Sequence, residues 1–202
     1  VELNSEAEVN AVMEAVKNAP FAVTGVKRQD KQRNPAPPFI TSTLQQEASR
    51  KLRLNSRDAM RVAQRLYENG YITYMRTDST SLSETALTAA RQQARDMYGA
   101  EYVPDAPRRY GKVQGAQAAH EAIRPAGDRF RTPAQVAGEL RGNEFALYDL
   151  IWKRTVASQM ADARGSTATI KVGATLDPDA PAREVELSAS GTVISFRGFL
   201  AA

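Results

Sequence analysis

Thr167-Ala168-Thr169-Ile170-Lys171-Val172 alternates polar side chains with apolar or small ones at a period of two. Successive side chains of a strand point to opposite faces, so the pattern belongs to a strand with two unlike faces. Glu184-Val185-Glu186-Leu187 repeats it, and Val193, Ser195 and Arg197 alternate with Ile194 and Phe196. Ser190-Gly191 predicts a hairpin-like turn between the last two, and Pro178 and Pro181 predict a loop after the first. So few short strands need further partners to be stable. Residues 21–27, rich in β-formers, supply one from the other end of the chain. The expected fold class is therefore α+β and multidomain. A mainly helical domain, residues 38–162, is inserted into a strand-rich domain made of residues 1–37 and 163–202.

Helix punctuation fills the rest. Ser5-Glu6-Ala7-Glu8 is a capping box ahead of Val9, Val12, Met13 and Val16 at helical spacing, and Pro20 ends that helix. Residues 29–38 are polar and proline-rich and read as an exposed connection. Ser42-Thr43-Leu44-Gln45 caps a helix reaching about Leu52. Asn55 or Ser56 caps the next, with Ala59, Val62, Ala63, Leu66 and Tyr67 on one face and Gly70 closing it. Ser81-Leu82-Ser83-Glu84 is a second capping box, for a helix that Gly99 ends, and residues 102–115, with Pro104 and Pro107, read as a loop. Thr132-Pro133 pairs a cap with a first-turn proline. Asn143 caps a longer helix that buries Phe145, Tyr148, Ile151, Trp152 and Val156.

The chemistry concentrates in Gly70-Tyr71-Ile72-Thr73-Tyr74-Met75-Arg76-Thr77-Asp78-Ser79-Thr80. A phenol attacks a phosphodiester and conserves the bond energy in a phosphotyrosine link. Phenols ionise near pH ~10, so the attack needs help, and an arginine supplies it by holding the phosphate. In an extended segment Tyr74 and Arg76 share a face. Tyr71 follows the helix-closing glycine and is expected to pack instead. In His120-Glu121-Ala122-Ile123-Arg124-Pro125, a helical conformation brings the only histidine, His120, and Arg124 to one face, where both donate to phosphate. A lone histidine without partners is not a metal site, so no metal ligand is assigned.

Composition is that of a globular protein: 42% hydrophobic, 25% charged, no cysteine and hence no disulfide or thiolate site. No run is long enough to cross a bilayer. The net charge is only +4, yet residues 27–76 hold eleven basic residues against four acids. Within that zone Arg57, Arg61 and Arg65 recur every fourth residue, a stripe opposite the apolar face of their helix. Such a stripe is either a solvated face or a row of phosphate contacts, and its place just before Tyr74 favours the latter. No Walker glycine loop is present. The nearest approach to an acidic metal cluster, Asp177-Pro178-Asp179-Ala180-Pro181, breaks at its last position. The chain begins at Val1, which reads as an excised piece or a processed protein, and it ends on an apolar stretch, residues 196–202, that looks like an arbitrary cut.

Three segments together resemble the bacterial type IA DNA topoisomerases: residues 71–83, Pro37-Pro38-Phe39-Ile40-Thr41-Ser42-Thr43-Leu44-Gln45-Gln46-Glu47, and Ala119-His120-Glu121-Ala122-Ile123-Arg124-Pro125. They occur in the family's order and rough spacing, in a chain that matches only a middle portion of such an enzyme. The resemblance implies that the strand-rich domain is the hinge, or arch, and that the helical domain carries the active-site tyrosine. It puts Tyr74 on that tyrosine and gives Arg76 the scissile phosphate. It makes His120 a DNA contact and Arg124 a phosphate or structural contact. It further implies cleavage of one DNA strand through a 5′-phosphotyrosyl intermediate, passage of a strand and resealing without ATP, with relaxation of negatively supercoiled DNA. The expected partner is DNA, single-stranded at the cleavage point. Magnesium is implied for the whole enzyme, with its ligands in a Toprim domain that this chain lacks, as it lacks the domain lining the strand groove. The chain alone is then expected to hold no metal and to be inactive. The implied setting is the cytoplasm, with the nucleoid, and no membrane. The resemblance leaves relaxing and decatenating members of the family open.

Two other readings use the same residues. Tyrosine recombinases also gather Arg, His and Tyr around a phosphate, but there the tyrosine comes last, whereas Tyr74 precedes His120 by 46 positions. A non-catalytic module binding single-stranded DNA would use Tyr74 only to stack on a base.

Overall fold

The computed structural model describes residues 2–110, 120–176 and 182–202. The predicted proline loop at Pro178 and Pro181, the Asp177 to Pro181 run and the end of the 102–115 loop lie outside them. The fold is α+β, with helices and a three-stranded antiparallel sheet. Contacts within the chain define two units: residues 1–32 with 164–196, and residues 33–163 with 197–202. The end of the chain therefore differs from the expected boundary. Residues 197–202 group with the helical unit, where the Phe199 N–H donates to Ala161 O at 2.9 Å.

In the strand-rich unit, α1 (Glu6–Lys17) is capped by Ser5, whose hydroxyl accepts the Glu8 N–H, as the capping box predicts. β1 (Ala22–Arg33) extends past the expected end at Lys27, so residues 29–33 are strand and not connection. Solvent on both sides lets a polar sequence stay in the ladder. β2 (Ala163–Thr175) and β3 (Glu184–Phe196) pair antiparallel, with β2 central. The predicted turn at Ser190-Gly191 does not exist: β3 runs straight through it, Gly191 opposite Ala168 and Ser190 opposite Thr169. Cross-strand hydroxyl pairs, Thr167–Thr192 at 2.8 Å and Thr169–Ser190 at 2.7 Å, hold that register, and Lys171–Glu186 continues the row. The chain reverses between Leu176, whose N–H donates to Arg183 O, and β3.

The helical unit contains α2 (Thr41–Leu52), α3 (Ser56–Glu68), α4 (Glu84–Tyr98), α5 (Pro133–Val136) and α6 (Gly142–Ala157). α6 packs against all four others. It is apolar around most of its circumference and buries Leu147, Tyr148, Leu150, Ile151, Trp152 and Val156, as a central helix must. Its N-cap is Arg141, not Asn143, so the helix opens two residues earlier than expected, at Gly142, which takes a positive φ of 54°. Ser83 alone caps α4, which puts Glu84 in the first turn and leaves Ser81 outside. α3 follows its pattern closely. Asn55 Oδ1 accepts the Asp58 N–H at 2.9 Å, and Ala59, Val62, Ala63 and Leu66 are buried. Among the described residues no helix is long and apolar enough to cross a membrane.

Candidate active site

Gly70 sets the site's geometry. It takes φ +75° at the end of α3, a left-handed conformation that a residue with a Cβ resists. The Tyr71 N–H then reaches Leu66 O at 2.8 Å and the Gly70 N–H reaches Tyr67 O at 2.9 Å. This double closure ends the helix and turns the chain sharply. Past it, residues 71–73 pair with 122–126. The Thr73 N–H donates to Arg124 O, the Ala126 N–H to Tyr71 O, and Ile72 bridges Pro125. Ile72 and Met75 go into the core, while Tyr74, Arg76 and Asp78 are exposed. Tyr74 and Arg76 are both exposed, but exposure alone does not put them on the shared face expected of an extended segment.

Arg76 sits between two grooves. One, of about 630 Å³, is lined by Arg76, His120, Asp78, Gln45 and the first residues of α2, Thr41 and Ser42. The other is lined by Arg76, Arg57, Arg61, Gln64 and again Gln45. The structure therefore gathers Arg76, His120, Arg57 and Arg61 around Gln45. Sequence reasoning gave Gln45 no role, although it lies one turn after Thr41 on the same helix face. Tyr74 lines neither groove. It is 46% exposed, and its ring stands edge-on to Tyr67 with centroids 5.2 Å apart. Tyr67, expected on the apolar face of α3, is instead 43% exposed beside it.

The arginine stripe divides. Arg61 pairs with Asp58 at 3.3 Å on its own helix. Arg65 turns to Glu144, its Nε 2.9 Å from the carboxylate, and leaves the groove to the other two. His120 and Arg124 also part. The 120–125 segment is extended, not helical, because its backbone pairs with Phe39, Tyr71 and Thr73. His120 stays exposed at the groove. Arg124 is 9% exposed, and its guanidinium donates to Glu121 Oε2 at 2.7 Å and to the carbonyls of Pro125 and Gly127. That commits it to holding the segment together. Burial pushes the Glu121 carboxyl up, but the bonds from Arg124 and Ser83 outweigh it and the net shift is downward.

Tyr71 packs as expected, edge-on to Tyr148, and its hydroxyl donates to Glu139 Oε2 at 2.6 Å. The Arg131 fork on the same carboxylate, with Tyr71 second, holds Glu139 down at about 2. The bond to Glu139 raises Tyr71 in turn. Ser79 and Thr80 are buried, and the Ser79 N–H donates to Thr77 Oγ1, which forms the turn after the site. Among the described residues no three His, Cys, Asp or Glu side chains come together as a cation site requires. The described residues do not fit a magnesium ion.

An exposed tyrosine stands two residues from an arginine that two polar grooves share, one of them lined by two further arginines. A family model described as DNA topoisomerase matches residues 1–202. The chain is 58% identical over 198 residues to DNA topoisomerase 1 of Streptomyces coelicolor, covering 98% of this chain and 20% of that protein. With the Mycolicibacterium smegmatis protein of the same name it shares 57% over 198 residues, 98% of this chain and 21% of the relative. The solved structure of full-length topoisomerase I from Thermotoga maritima matches all of this chain and 32% of its own, with a TM-score of 0.77 at 32% identity. The chain spans about a fifth of the length of the curated relatives it matches.

Proposed function

This chain belongs to the DNA topoisomerase family, and from that premise we propose that it supplies the attacking tyrosine of a type IA enzyme. Tyr74 Oη attacks the phosphorus of one DNA strand. The Oη–P bond forms, the P–O3′ bond breaks, and the phenolic proton ends on the departing 3′ oxygen. The 5′ end stays on the tyrosine, and the reverse reaction reseals the strand after another has passed. One phosphoester replaces another, so no ATP is consumed. Relaxation of negative supercoils supplies the driving force.

Arg76 binds the scissile phosphate through its planar fork and offsets charge that builds on the phosphoryl oxygens. His120 meets the strand across the same groove, and Arg57 and Arg61 take the neighbouring phosphates. The observation that carries this reading is the position of Arg76, exposed two residues from Tyr74 and lining both grooves. In the whole enzyme any magnesium ion would be held by residues outside this chain. The partner is DNA, single-stranded at the cleavage point, and the setting is the cytoplasm with the nucleoid.

The 202-residue chain on its own is expected to bind single-stranded oligonucleotide weakly and to leave supercoiled plasmid unrelaxed. Plasmid relaxation by the purified chain would show that it needs nothing from the rest of the enzyme. Phosphate contacts also leave a salt signature, with log K falling by about 0.7 per contact for a single strand. Replacing Arg57 and Arg61 by Gln should lower the slope of log K against log salt by about 1.4. Arg65→Gln should leave it alone, because Arg65 faces Glu144 and lines neither groove, whereas Arg61 lines one despite its contact with Asp58. Equal slopes in all variants would make the stripe a solvated surface.

A further inference from the structure

We infer that Thr41 is a positioning residue for cleavage, acting through its hydroxyl on the backbone that carries Arg76; the inference rests on the reaction just proposed. Thr41 is the first residue of α2. Its Oγ1 lies 2.9 Å from Met75 O and 3.1 Å from Thr77 O, and it accepts the Thr77 N–H at 2.9 Å. The Met75 carbonyl belongs to the peptide group before Arg76, and the Thr77 N–H to the peptide group after it. One hydroxyl therefore holds both peptide planes whose rotation sets the direction of the Arg76 side chain. The Thr41 N–H adds a bond to Thr77 O at 3.0 Å.

The start of α2 does not need this hydroxyl. There the Ile40 N–H donates to Thr43 Oγ1 at 3.1 Å, and the Leu44 N–H donates to Ile40 O. Thr43 serves the helix end, and Thr41 faces the 75–77 segment. Its neighbours fix the flanks by other means. Thr73 Oγ1 donates to Ala122 O at 2.8 Å, and the Met75 side chain is buried. Arg76 has no such anchor of its own, being exposed with a long flexible stem. The clasp fixes the base of that stem, so the guanidinium meets a phosphate from a set origin. A misplacement of about 1 Å in such a group costs on the order of a hundredfold in rate.

The test uses the full-length protein and single-turnover cleavage of a single-stranded oligonucleotide. Thr41→Val keeps the shape and removes the hydroxyl, and should cleave roughly a hundredfold more slowly with affinity changed less than about threefold. Thr41→Ser should restore cleavage to within about threefold of wild type, because its oxygen takes the same bonds. If Thr41 acts through Arg76, adding Thr41→Val to Arg76→Ala should slow cleavage little further. Wild-type cleavage by Thr41→Val, or losses that multiply fully in the double variant, overturns the inference. So does unfolding of both Thr41→Val and Thr41→Ala at the assay temperature, which would make the hydroxyl a support of the fold. An adduct that persists in Tyr74→Phe sinks the underlying cleavage reading. A dead Tyr74→Phe beside a fully active Thr41→Val sinks this inference alone.

Discussion

Tyr74→Phe in the full-length protein should abolish the denaturation-resistant protein–DNA adduct while oligonucleotide affinity stays within about threefold. The substitution removes one oxygen. The ring's edge-on contact with Tyr67 needs no hydroxyl and survives, so neither fold nor groove changes. Three other phenols of this unit are poorly placed to replace it. Tyr71 is bonded to Glu139, Tyr148 to Arg131 O, and Tyr110 to Ser158 O. Burial pushes Tyr148 and Tyr110 up to about 12, further from the phenolate. Tyr67 is the real competitor, since it is exposed and touches Tyr74. Tyr67→Phe should therefore keep the adduct. Loss of adduct in Tyr67→Phe and its survival in Tyr74→Phe would exchange the two roles.

Arg76→Ala should slow single-turnover cleavage by about a hundred- to a thousandfold, the usual cost of deleting one preorganised donor to a developing charge. Affinity should fall far less, because Arg57, Arg61 and His120 line the same two grooves and remain. Arg76→Lys separates charge from geometry. An ammonium keeps the charge but not the planar fork that bonds two phosphoryl oxygens at once. If geometry dominates, Lys falls close to Ala; if charge dominates, Lys stays close to wild type. Wild-type rates for Ala would make Arg76 a bystander and remove the observation on which the functional reading stands.

How far the sequence disclosed these features follows from how local each signal is. The α3 stripe, the Asn55 cap and the Gly70 closure depend on neighbours within a turn, and they were legible. Thr132 and Pro133 likewise open α5 as their pairing predicts. The turn expected at Ser190-Gly191 failed because its residues have a second use. Opposite Thr169 and Ala168, a serine and a glycine suit a strand, and only the cross-strand register reveals it. The same holds for residues 120–125, whose spacing suits a helix but whose backbone is taken by Phe39, Tyr71 and Thr73. That pairing separated His120 from Arg124. The stripe of Arg57, Arg61 and Arg65 was visible, but the removal of Arg65 by Glu144, a residue far along the chain on α6, was not. Thr41 and Gln45 were hidden for a similar reason. The partners of Thr41 lie more than thirty positions away, the grooves that Gln45 lines are built from separate segments, and nothing in a Thr-Ser-Thr-Leu-Gln run says which hydroxyl caps and which reaches across.

In the reaction proposed above, the bond to DNA forms at one oxygen atom, the phenol of Tyr74. Trapping the adduct of the full-length protein with a single-stranded oligonucleotide, digesting both components and sequencing the nucleotide-bearing peptide by mass spectrometry reads that atom's residue directly. The expected result is a 5′-phosphate mass on Tyr74, in the peptide ending at Arg76. A nucleotide on Tyr67, Tyr71 or any residue outside that peptide, or attachment through a 3′ phosphate, would contradict it.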